Sequence, residues 1–151
     1  MSTDAFRPLR ISLIVLIVLL ALQFELGMAV NLSDLHTVPA FGFSVPALWS
    51  ALAKVGGEAV THAELGTLMA IGVVFTMIRS LGSGIRRVQI VGVLLFLAMA
   101  LATLNGVLFV LSGFDNDGYS HGMATGFILS ILLCFLELYF LRTPPKPASR
   151  P

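Results

Sequence analysis

Two of the three histidines in this chain open long apolar segments. His62 begins "HAELGTLMAIGVVFTM", and His121 begins "HGMATGFILSILLCFLELYF". Imidazole is the commonest metal ligand among side chains, and two imidazoles meeting at one point can hold an ion from both sides. Each histidine keeps small residues beside it. Gly66 follows His62 by one helical turn, and Gly122, Ala124, Thr125 and Gly126 crowd around His121. A flat group standing against a ligating ring needs such space, and small residues also let bare helices pack closely. Gln23, Glu25 and Asn105 are polar residues in other apolar runs. They are expected either to surround the same pocket and hydrogen-bond the imidazoles, or simply to join helices. His36 is expected to be solvent-exposed in a loop.

The elements that must position these residues are membrane spans. Of 151 residues, 57% are hydrophobic and only 11% charged, against about one-quarter charged in an ordinary soluble domain. The mean hydropathy is +0.96. Four apolar runs, at about 11–30, 60–79, 88–113 and 119–141, are each long enough to cross a bilayer as a helix. They lack the strict polar alternation of a barrel strand. The fold class is therefore all-α, an integral membrane four-helix up-and-down bundle. A cytoplasmic N-terminus is expected over 1–10, the transmembrane domain over 11–142 with an outer loop at 31–59, and a disordered cytoplasmic tail over 143–151.

Charge orients the bundle. All but Lys54 of the nine Lys and Arg residues fall on one side of a chain that crosses four times. Positive residues mark the cytoplasmic side, so both termini are expected there, in the cell membrane, with the histidine pair toward the outer side. The basic start and "LGMA" also resemble a cleaved signal peptide, but the first apolar run is longer than a usual signal core, and Gln23 and Glu25 interrupt its end. In the outer loop, "ALWSALAKV" is expected to form a short helix along the interface, anchored by Trp49. Cys134 has no partner cysteine and is expected to be a small buried side chain. Glu137 is expected to reach Arg142 or the headgroups and to be structural.

In this topology the second and fourth spans run the same way, so His62 and His121 lie at similar depth, within about one helical turn. Alternate helices of such a bundle sit across its diagonal, about 12–14 Å apart for ordinary axis spacings. Two imidazoles reaching inward across that gap could ligate one haem iron between the helices. The propionates would face the outer surface, where Lys54 is the available cation. With both axial positions filled, electron transfer is favoured over oxygen binding. The expectation is a small membrane cytochrome b holding haem b through His62 and His121, with Gly66, Gly126, Glu25, Asn105 and Lys54 about the cofactor. Membrane lipid and a quinone or respiratory-chain partner go with that reading, as does a homo-oligomer or a place in a larger complex.

The segments "LQFELGMAVNL", "HAELG" and "SHGMATG" resemble the four-helix haem b membrane proteins, and in particular one half of haem A synthase. The resemblance implies histidines near the outer face on the second and fourth helices, at His62 and His121. This chain carries one such unit where that family carries two, and Ala63 stands where an arginine commonly follows the histidine.

Other functions stay open at this level. A cofactor-free scaffold or accessory subunit explains the small residues equally well. Copper handling through His121, Met123, Met28 and His62 is a third reading, although Met123 follows His121 by two residues and faces elsewhere on a helix. No phosphate-binding loop, zinc-protease motif or nucleophile with its base is present, and nothing suggests nucleic acid. An electron carrier or haem-binding protein is favoured over an enzyme, haem synthesis included.

Overall fold

The computed structural model describes residues 3–32 and 44–142. His36 and the tail at 143–151 lie outside them. After a single 3-10 turn, Thr3–Phe6, come α1 (Arg7–Leu32), α2 (Val45–Val55), α3 (Gly57–Leu81), α4 (Arg86–Leu111) and α5 (Asp117–Arg142). Four of these helices, all but α2, are long and apolar enough to cross a membrane. The chain is an all-α, multi-pass membrane bundle.

The long helices close a ring. α1 packs on α3, α3 on α4, α4 on α5, and α5 returns to α1. This leaves α3 and α5 across the diagonal, as the alternating topology requires. Leu13, Leu16 and Leu20 of α1 meet Met69 and Val73 of α3, Leu95 of α4 and Cys134 of α5 in one buried cluster. The outward faces are equally apolar: Phe75, Leu97 and Leu132 are each more than half exposed. In lipid that exposure carries no hydrophobic penalty, so the bundle rests on close packing and interhelical hydrogen bonds.

Helix ends follow local chemistry. Ser44 opens α2 by accepting from the Ala47 amide at 3.2 Å, and Pro46 sits in the first turn, where its missing N–H is not needed. Gly56, at φ 135°, ends α2 and lets α3 begin at once. The short helix expected from "ALWSALAKV" is present as the eleven-residue α2, and α3 follows it directly at Gly57. α2 buries Ala51 and Leu52 in a second cluster with Ala59 of α3 and Phe109 of α4.

The arginine-rich end is stitched by side chains. Arg10 Nη2 donates to the Leu141 carbonyl at 2.7 Å, tying α1 to the last turn of α5. Arg79 Nη1 donates to Ser12 Oγ at 2.5 Å, tying α3 to α1. The Arg87 guanidinium lies 5.8 Å above the Phe140 ring, linking α4 to α5.

Candidate functional site

His62 faces inward. It shares one stripe of α3 with Gly66, Met69, Val73, Thr76 and Ser80, spaced by three and four residues, and the last four are buried. Its ring turns to α1. The Gln23 amide nitrogen lies 3.1 Å from His62 Nε2 and 3.0 Å from the His62 carbonyl oxygen. A carbonyl can only accept, so the amide nitrogen faces His62 and donates both bonds, and the imidazole proton sits on Nδ1. His62 Nδ1 and Gln23 Oε1 are both buried without partners.

The glycines beside this pair are already filled. A Cβ on Gly27 would stand 3.0 Å from His62 Cε1, and one on Gly66 would stand 3.1 Å from Gln23 Nε2. Gly27 thus makes room for the imidazole and Gly66 for the amide that holds it.

His121 faces the other way. It is exposed, and its Nδ1 donates to the Asp117 carbonyl one turn earlier at 2.7 Å. The buried face of α5 is set by Gly126, Ser130, Cys134 and Glu137. At about 100° per residue, His121 lies about 180° from the centre of that face. It stands in line with Ile128, Leu132, Phe135 and Tyr139, each more than half exposed.

The structure therefore does not bring the two histidines together. Gly126, expected to leave room for a flat cofactor, is occupied by helix contact: a Cβ there would lie 2.7 Å from the Ala98 carbonyl and 2.8 Å from the Ala102 nitrogen. Asn105 Nδ2 donates to the Leu101 carbonyl of its own helix at 2.9 Å, and its side chain fills the space above Gly122. Glu25 and Lys54 are exposed. Two apolar grooves, between α3 and α4 and between α4 and α5, are bordered by no histidine. In this packing the residues present do not frame a haem between His62 and His121. Nor do the copper residues converge: Met123 packs against Gly106 of α4 while His121 points outward. Among the described residues, no three His, Cys, Asp or Glu side chains gather as a metal site.

Glu137 departs from expectation most sharply. It is 0% exposed and makes its bond to Ser80 Oγ of α3, at 2.5 Å, rather than to Arg142 or the headgroups. Arg142 lies about 140° around the helix from it, which explains why that pairing does not form. Cys134, one turn before Glu137, is fully buried.

No protein-family model, curated protein or solved structure matches the chain.

Proposed function

We propose that the protein is a non-catalytic membrane bundle, a scaffold or accessory subunit, that works through helix contacts without a shared haem. The observation carrying this reading is the divergence of the two imidazoles. His62 is spent on joining α3 to α1 through Gln23. His121 stands on an outward apolar stripe, where an imidazole meets a headgroup or a neighbouring protein. The arginine-rich end faces the cytoplasm in this reading, because eight of the nine basic residues lie there.

A second reading has one specific observation in its favour. His62 Nδ1 and Gln23 Oε1 are both buried without partners, and buried polar atoms are rarely left so. A group ligated by His62 Nδ1 would occupy that atom and move the ring proton to Nε2, where Gln23 Oε1 could accept it once the amide turned over, and haem b is the group that the family resemblance suggests. His121 takes no part in that arrangement. Tetrapyrrole ligation there would require Gln23 to release Nε2 or the ring to offer Nδ1 as a bare lone pair.

An optical spectrum of the detergent-purified protein, oxidised and then dithionite-reduced, separates the readings. After expression with ample haem, no Soret band and stable co-purification with other membrane subunits are expected. A Soret band lost in His62→Ala but kept in His121→Ala establishes the second reading. A low-spin spectrum lost in both variants overturns the first reading and restores shared ligation.

A further inference from the structure

Glu137 is the one fully buried carboxyl among the described residues, and it lies within a membrane-spanning helix. Its surroundings allow its hydrogens to be counted. Ser80 Oγ lies 2.8 Å from the Thr76 carbonyl of the preceding turn and 2.5 Å from Glu137 Oε1. A carbonyl oxygen has no hydrogen to give, and Ser80 has a single hydroxyl hydrogen to share between the Thr76 carbonyl and Glu137 Oε1. For both contacts to be hydrogen bonds at once a second hydrogen is needed, and the carboxyl is its only source. Glu137 Oε2 is buried with no partner, which suits the carbonyl oxygen of a neutral acid. An ionised carboxylate would leave half its charge unpaired in a low-dielectric interior.

Among the described residues, no cation forms an ion pair with Glu137. From α1, Arg10 gives Nη2 to the Leu141 carbonyl, and its Nε makes no bond. Arg79 of α3 turns to Ser12 and Pro8 of α1. Arg87 of α4 lies over Phe140, and Arg142 of α5 is exposed on another face. Cys134 is the remaining titratable neighbour and is uncharged as a thiol. The site is also sterically made. Gly92 of α4 lets Ser80 approach so closely that any Cβ there would overlap the serine side chain, and that Cβ would lie 3.7 Å from Glu137 Oε1.

We propose that Glu137 is an intramembrane proton-binding site, its carboxyl hydrogen donated to Ser80 Oγ where α3, α4 and α5 meet. The ligand is a proton, and the bond it makes locks α5 across the bundle to α3. Loss of the proton would put two acceptor oxygens and a negative charge against the Thr76–Ser80 turn, so the site couples protonation to the packing of α3 and α5.

Infrared spectroscopy of the full-length protein in lipid at neutral pH tests this. The wild type is expected to show a protonated-carboxyl C=O band that shifts in D2O and disappears in Glu137→Gln. The amide of that variant can donate to Ser80 Oγ in the same way, so it is expected to fold. Ser80→Ala gives an independent reading, because an acid that has lost its acceptor moves its C=O band to higher wavenumber. A folded wild type showing only carboxylate bands overturns the proposal, as does a protonated band that survives unchanged in Glu137→Gln. The wild-type measurement alone decides if neither variant folds.

Discussion

Gln23 on α1 holds His62 on α3 through one nitrogen, 3.1 Å from the imidazole Nε2 and 3.0 Å from the backbone carbonyl of the same residue. The amide therefore binds ring and backbone together and fixes the depth at which α1 and α3 cross. Interhelical bonds of this kind contribute about 0.6 kcal/mol on average in membranes and up to about 1.7. A double-mutant cycle of Gln23→Ala and His62→Ala, followed by unfolding in mixed micelles, is expected to give a coupling energy of about 1 kcal/mol. Coupling indistinguishable from zero would separate the two side chains.

The glycines of the bundle differ in what surrounds them. Gly126 meets the α4 backbone at Ala98 and Ala102, which cannot yield as a side-chain tip can. Gly126→Ala is expected to destabilise by about 1–3 kcal/mol through overpacking. Gly72→Ala meets only Leu16 Cδ2 at an ordinary 3.5 Å and is expected to change stability by no more than about 0.5 kcal/mol. Thermal midpoints of the two variants in one detergent check the contrast, and equal losses would contradict the α4–α5 contact.

Arg10 satisfies the carbonyl of Leu141, one of the last four in α5, which have no partner within the helix. Arg10→Met keeps the apolar stem and removes the donor. The expected cost is about 1 kcal/mol, with faster amide exchange over the last turn of α5. Unchanged exchange there would show that water serves the carbonyl equally well.

The number of spans and their ring order were legible in the sequence, because a stretch of about 20 apolar residues states its own length requirement. The rotation of each helix was not. A soluble helix shows its buried face as an apolar stripe. Here the lipid-facing residues Ile128 and Leu132 are as apolar as the buried Leu13 and Leu16, so that signal is missing. The signal that does survive is size. Gly122, Gly126, Ser130 and Cys134 recur every four residues along α5 and mark its packed face, and His121 lies off that line. The same reasoning places Glu137, three residues after Cys134, on the inside. On α3, Gly66 on the stripe of His62 marks that histidine as inward. Gln23 was legible as a polar residue near the site, but only the packing of α1 against α3 selects it over Glu25 as the partner of His62.

An outward His121 also has an energetic signature. His121→Leu removes no interhelical hydrogen bond, only the bond to the Asp117 carbonyl. It is expected to alter stability by no more than about 0.5 kcal/mol. His62→Leu leaves the Gln23 amide buried without its ring acceptor and is expected to cost about 1–3 kcal/mol. Unfolding midpoints of the two variants give the comparison, and a reversed order would contradict the assigned faces.

The most direct test of the account is the reactivity of the two imidazoles. The detergent-solubilised protein would be treated with diethyl pyrocarbonate, and modification of His62 and His121 followed over time by mass spectrometry. His121 is expected to react several-fold faster, and Gln23→Ala is expected to accelerate His62 alone. Equal protection of both histidines, released together by a single substitution at either one, would contradict the divergence of the two rings and show that they share one site.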